Sequence, residues 1–185
     1  MAAILLTGRP GSGKTTLVRR VLEAVQAPAG GFYTRETRGP DGRRTGFELV
    51  ILDARLPDGQ GRVATLAHVS IEGRPRVGRY GVDVAALERV GVPAIEAAVE
   101  AGRLVVIDEI GTMELLSAAF QRAVIEALRR HRTLFGTVMQ APHPFADELK
   151  AQPDTLLFEL TEANREEVHA LVEAQLRAAL GQLSV

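Results

Sequence analysis

Gly8-Arg9-Pro10-Gly11-Ser12-Gly13-Lys14-Thr15 decides the fold. The octapeptide fits G-x-x-x-x-G-K-[ST], the phosphate-binding P-loop. Its flanks complete the signal. Ala3 to Thr7 is a short apolar run that ends at a glycine, as a buried strand does. Thr16 to Val25 carries Leu17, Val18, Val21, Leu22 and Val25 at helical spacing. Strand, glycine-rich loop and helix therefore follow in the required order. The glycines let backbone N–H groups turn inward toward phosphate oxygens, and the helix N-terminus adds partial positive charge. Gly8, Arg9, Pro10, Gly11, Ser12, Gly13, Lys14, Thr15 and Thr16 are the candidate nucleotide-binding residues. Lys14 would reach the β- and γ-phosphates, and the Thr15 hydroxyl would ligate Mg²⁺.

Working outward, the helix ends near Gln26 at Ala27-Pro28-Ala29-Gly30-Gly31. Gly31 to Arg35 and Thr45 to Ile51 read as strands around the turn Gly39-Pro40-Asp41-Gly42, an antiparallel hairpin. Pro57-Asp58-Gly59 marks a second turn, Arg62 to Val69 a returning strand and Pro75 to Tyr80 a short extended piece. Residues 30–82 thus form a β-rich insertion within one domain of 185 residues. Arginines crowd it: Arg35, Arg38, Arg43, Arg44, Arg55, Arg62, Arg74, Arg76 and Arg79. A solvated face explains most of them. One or two could contact nucleotide phosphates if the insertion closes over the loop.

Beyond the insertion, helices and strands alternate. Helices are expected from Val84 to Ala101, Ser117 to His131, Phe145 to Lys150 and Asn164 to Leu180. Strands are expected at Arg103 to Ile107, Thr133 to Val138 and Thr155 to Leu160. That alternation predicts an α/β fold with a mostly parallel sheet flanked by helices. Ser117 is a candidate N-cap.

Leu104-Val105-Val106-Ile107-Asp108-Glu109 is the partner motif, a Walker B pattern of four apolar residues followed by acids at the strand's C-terminal end. Parallel α/β sheets place their ligands at that end. Asp108 would face Thr15 and hold Mg²⁺, and Glu109 would orient or deprotonate an attacking water. Glu114 is a second candidate base, although the first turn before the next helix is its plainer role. Thr137 becomes a γ-phosphate sensor if its strand lies between the P-loop and Walker B strands; otherwise it is a β-branched strand residue. Asn164 either caps the last helix or reads a base edge, and the Arg165 guanidinium can stack on a purine. The four histidines lack metal spacing.

The bulk numbers limit the partners. A net charge of -1 gives no electrostatic case for nucleic acid or an anionic membrane. Absence of cysteine excludes disulfides and thiolate metal sites, and fits a reducing compartment. Ala2 to Thr7 is too short for a signal h-region, and no apolar run approaches a membrane span, so a cytoplasmic protein is expected. Only two of the 22 basic residues, Lys14 and Lys150, are lysines, which singles out the compact ammonium in the P-loop. The sequence is compatible with a monomer and leaves the oligomeric state open.

The segments Gly8 to Thr16, Gly31 to Glu36, Arg44 to Phe47, Val77 to Tyr80, Val106 to Leu115, Gly136-Thr137 and Thr161 to Arg165 together resemble one family. It is the cancer-related nucleoside-triphosphatase family of thermophilic archaea, bacteria and animals. The resemblance runs nearly the whole chain in order. It implies a RecA-like P-loop fold with a β-rich insertion, and slow Mg²⁺-dependent hydrolysis of ATP, GTP and other nucleoside triphosphates. It gives Lys14, Thr15, Asp108 and Glu109 the phosphate, metal and water roles. Thr112 departs from the family pattern, where a basic residue is frequent. Two other readings use the same P-loop: a small nucleotide or metabolite kinase with the insertion as a lid, and a nucleotide-dependent switch.

Overall fold

The computed structural model describes residues 3–53, 60–73, 75–130 and 132–181. The Pro57-Asp58-Gly59 turn, Arg55, Arg74 and His131 lie outside these. The elements run β1 (Ala3–Thr7), α1 (Lys14–Val25), β2 (Ala29–Arg38), β3 (Arg44–Asp53), β4 (Gln60–His68), β5 (Arg76–Val77) and β6 (Tyr80–Val82). They continue α2 (Val84–Ala86), a π-helical turn (Leu87–Gly91), α3 (Val92–Glu100), β7 (Leu104–Ile110), a 3₁₀ turn (Glu114–Leu116) and α4 (Ala118–Arg129). β8 (Leu134–Val138), α5 (Pro144–Lys150), β9 (Thr155–Glu159) and α6 (Arg165–Gly181) complete the chain.

The strands form one sheet in the order β5-β6-β4-β3-β2-β7-β8-β1-β9. From β9 to β2 every pairing is parallel; from β2 to β5 every pairing is antiparallel. β2 therefore has two roles. Ala29 to Tyr33 pair with Leu104 to Asp108 of β7, while the whole strand pairs with β3. Sequence reasoning placed β2 in a hairpin only, because its alternating pattern does not show which strand covers the other edge. The extended piece expected over Pro75 to Tyr80 is instead a small hairpin, β5 and β6, folded about Gly78 in the left-handed region.

Period-two alternation sends side chains of the central strands to two cores. Ile4, Leu6, Leu104, Val106 and Phe135 pack against α1 and α6 through Leu17, Val18, Val21, Val168, Val172 and Leu176. Leu5, Val105, Ile107 and Leu134 pack on the other face against Ile95, Phe120 and Val124 of α3 and α4. Burial on both faces explains why β1 and β7 read as continuous apolar runs. The helix expected from Val84 is widened at Leu87–Gly91, just before Pro93. Proline donates no N–H, and a local widening of the turn accommodates that loss.

Chain order fixes the ligand edge. From β1 the chain crosses to β2 on one side; from β8 it crosses over β1 to β9 on the other. The split lies between β1 and β8, and their C-terminal ends flank the crevice where open α/β sheets bind ligands. β8 is the single strand between β1 and β7. The positional condition set for Thr137 is thus met.

Candidate active site

The loop between β1 and α1 is shaped by its glycines. Gly8, Gly11 and Gly13 have φ of 145°, 84° and 99°, a region that side chains disfavour. A Cβ on Gly8 would also collide with the Leu160 carbonyl. α1 begins at Lys14 directly after Gly13, so its free N–H groups open into the loop. The Lys14 ammonium donates to the Gly8 carbonyl at 2.9 Å and the Arg9 carbonyl at 3.3 Å, folded over its own loop. From behind, Arg165 Nε donates to the Ser12 carbonyl at 2.8 Å and braces the turn.

Asp108 follows Leu104 and Val106 in the alternation, which aims it at the α1 face. It is 1% exposed. Thr137 Oγ1 donates to its Oδ1 at 2.5 Å, while Oδ2 is buried without a hydrogen-bond partner. Burial pushes its pKa up; the Thr137 and Thr15 hydroxyls and the Lys14 charge oppose that shift. The β7–β8 pairing breaks between Ile107 and Ile110, so Asp108 and Glu109 stand out of the ladder on the β8 side. The peptide bond between the two acids is cis. Burial raises the Glu109 pKa, the Asp108 charge adds to the rise and Lys14 opposes it.

These groups open into one cavity of about 600 Å³. Pro10, Gly11, Gly13, Lys14, Thr15 and Thr16 line one side, Asp108 and Glu109 the floor. The β2–β3 ribbon forms the opposite wall, with Arg35 and Arg44 among its side chains. Arg35 is paired with Glu48 at 2.8 Å, and Arg44 with Glu36 at 2.6 Å. A larger groove of about 750 Å³ between α3 and α4 contains none of these groups.

The arrangement fits a magnesium ion. Asp108 Oδ2 is an orphaned buried acceptor near the Thr15 hydroxyl, and both are hard oxygen donors. No cluster of three or more His, Cys, Asp or Glu residues suited to a metal occurs among the described residues. A cation here would take its other ligands from phosphate and water, as Mg²⁺ does at nucleotide sites.

Other candidates fall elsewhere. Asn164 Oδ1 accepts from the Thr161 N–H at 2.8 Å and its amide donates to the Glu159 carbonyl at 2.9 Å. The side chain closes the loop after β9, its hydrogen bonds spent on that turn. Neither Asn164 nor Arg165 lines the cavity, nor do Gly8, Arg9 and Ser12. Glu114 opens the 3₁₀ turn as expected, yet it is only 4% exposed. Burial, helped by Glu109 and Asp108, raises its pKa to about 8. Ser117 caps α4, accepting from the Phe120 N–H at 3.0 Å. Sequence reasoning missed Arg19 and the ring of Tyr33. The signal for Arg19 was its position four residues after Thr15, on the same helix face.

A family model described as NTPase matches residues 3–172. A Thermotoga protein named nucleoside-triphosphatase THEP1 is 41% identical over 162 residues, 88% of each chain. The THEP1 nucleoside-triphosphatase of Pyrococcus abyssi is 36% identical over 181 residues, 96% of this chain and 93% of that one. The crystal structure of THEP1 from Aquifex aeolicus superposes with a TM-score of 0.79 at 31% identity, covering 93% of this chain and 96% of the other.

Proposed function

The chain belongs to the NTPase family, and on that premise we propose that it hydrolyses nucleoside triphosphates to the diphosphate and phosphate with Glu109 as the group that activates water. Nucleoside-triphosphatase activity is the shared name of its relatives. The observation that carries the residue assignment is convergence on one cavity. Lys14 and Thr15 arrive from β1, Asp108 and Glu109 from β7, with only β8 between.

The backbone of Gly11 to Thr16 binds the phosphate chain, and Lys14 exchanges its two loop carbonyls for β- and γ-phosphate oxygens. Thr15 and Asp108 would hold Mg²⁺, which supplies charge stabilisation at the β- and γ-phosphate oxygens. Thr137 keeps the Asp108 carboxylate oriented through Oδ1, leaving Oδ2 for the site. Glu109 accepts a proton from water as that water attacks the γ-phosphorus and the bond to the β-phosphate oxygen breaks. The raised Glu109 pKa makes it a stronger base than a solvated carboxylate. ATP and GTP are both substrates in this reading. Base tolerance is supported by Asn164, whose amide is already committed to the loop. Among the described residues no helix is long and apolar enough to cross a membrane, and a reducing cytoplasm suits a chain without cysteine.

The test is phosphate release from ATP, GTP, CTP and UTP with Mg²⁺ and no acceptor, wild type beside Glu109→Gln. The expected result is release from several nucleotides and a loss of about 10²-fold or more in the variant, the scale of one positioned catalytic group. No release from wild type despite nucleotide binding would replace this reading with the kinase or switch.

A further inference from the structure

We infer that Arg19 is a catalytic residue, the cation that this chain supplies to the transferring phosphoryl group from its own first helix. The inference rests on the hydrolytic reading above and adds a residue that the P-loop and Walker B motifs do not contain.

Three arginines line the cavity, and their commitments differ. Arg35 places Nε and Nη2 on Glu48 Oε2. Arg44 places Nη1 on Glu36 Oε1 and Nε on the Tyr80 hydroxyl, and stacks over Phe47 at 5.3 Å. Both guanidinium groups are neutralised by carboxylates and fixed to the ribbon. Arg19 has no carboxylate partner among the described residues. It rests over the Tyr33 ring, 5.6 Å from the centroid, and is exposed.

Its placement follows from helix geometry. Arg19 lies one turn beyond Thr15 on the same face of α1, and helical side chains lean back toward the N-terminus. The side chain therefore leans toward the end of the helix at which the cavity opens. Tyr33, on which it rests, is the β2 residue in register with Asp108. The guanidinium thus waits on the β2 strand, which β7 and β8 separate from the strand that leads into the phosphate loop. The other cations on that side, Arg35 and Arg44, are paired with Glu48 and Glu36.

The reaction needs a donor there. In hydrolysis, water oxygen bonds to the γ-phosphorus, the bond to the β-phosphate oxygen breaks, Glu109 takes the proton and the diphosphate leaves. Charge builds on the equatorial γ-oxygens and the leaving oxygen. Lys14 serves the side facing the loop. A γ-oxygen facing the ribbon would meet two arginines already held by Glu48 and Glu36, so Arg19 is the lining arginine left to move to it. A ring contact is a weak tether, and two charge-assisted hydrogen bonds to a phosphoryl oxygen outcompete it. Arg35 and Arg44 would each have to break an ion pair to do the same.

The experiment is steady-state hydrolysis by Arg19→Ala and Arg19→Lys, with Arg44→Ala alongside. Arg19→Ala should lose about 10³-fold in kcat with KM nearly unchanged, the lower end for such an arginine. Lysine should recover little, since it lacks the planar fork, whereas free guanidinium ion at millimolar concentration should restore part of the Ala variant's rate. Arg19 is exposed, so the melting temperature should not change. Unchanged kcat, a change confined to KM, or absent guanidinium rescue would overturn the assignment. A larger kcat loss in Arg44→Ala would also overturn it. Affinity for NDP with Mg²⁺ and aluminium fluoride is measured in parallel and needs no turnover. It should fall in Arg19→Ala while affinity for NDP with Mg²⁺ holds; equal affinities would refute Arg19. Failure of wild type to release phosphate would count against hydrolysis alone, because the fluoride complex still decides Arg19.

Discussion

Replacing Glu114 by glutamine should flatten the pH dependence of stability. The carboxyl is 4% exposed, at the start of the 3₁₀ turn after β7. A Cβ at Gly111 would lie 3.1 Å from Glu114 Oε2 and 3.4 Å from Glu109 Cδ, so the two acids flank one glycine. Burial raises the Glu114 pKa from 4.5 to about 8. Below pH 4.5 the side chain is protonated in folded and unfolded chains alike and contributes no pH dependence. Above it the unfolded chain releases the proton and the folded chain keeps it. Each pH unit then costs the folded state about 1.4 kcal/mol until the pH reaches the folded value. The cost is roughly 3 kcal/mol at pH 7 and roughly 5 kcal/mol at pH 8 and above. Glutamine keeps the shape and cannot ionise. Urea denaturation of nucleotide-free protein from pH 4.5 to 9, at fixed ionic strength, measures the difference between the two proteins. The variant should match wild type near pH 4.5 and exceed it progressively up to pH 8. Parallel curves over that range would refute the reasoning, since they would mean that Glu114 ionises in the fold as it does in water.

Two further outcomes test the frame around the site. Thr137→Val removes the 2.5 Å hydrogen bond to Asp108 inside the protein. It should cost about 1.5–3 kcal/mol of stability in urea, the range for a hydrogen bond to a charged group, and weaken Mg²⁺-dependent nucleotide binding by calorimetry. Gly136→Ala should cost about 3 kcal/mol or more, read as a fall in the denaturation midpoint. A Cβ at Gly136 would collide with the Ile107 carbonyl and force β7 away from β8, separating the Walker B acids from the phosphate loop.

Much of this site is legible in the sequence, and the reason is locality. The P-loop is a backbone conformation set by Gly8, Gly11 and Gly13 within a few residues of the helix they introduce. Asp108 was legible because an acid ending an apolar run marks the ligand edge of a parallel strand. Ser117 capped its helix as its sequence position implied, since a cap needs only the next three residues. Where reasoning from sequence fell short, the missing facts were partners distant along the chain. Asn164 reads in the sequence as a helix cap or a base reader, yet in the fold its amide is satisfied at both ends by Thr161 and Glu159. Glu114 reads in the sequence as a turn residue or a second base, and its burial was not legible because burial depends on what packs over it.

The sequence by itself determined the phosphate loop, the acidic strand end, the alternation of strands and helices, and the class of chemistry. Each depends on contiguous residues whose backbone preferences act without help. Tertiary structure alone decided that β8 separates the two motifs, that β2 joins the parallel sheet to the ribbon, and which arginines are neutralised by carboxylates. Those outcomes turn on strand order and on ion pairs across the ribbon. The order is set by burying both faces of β1 and β7 under four helices, a balance over the whole chain that no local pattern encodes.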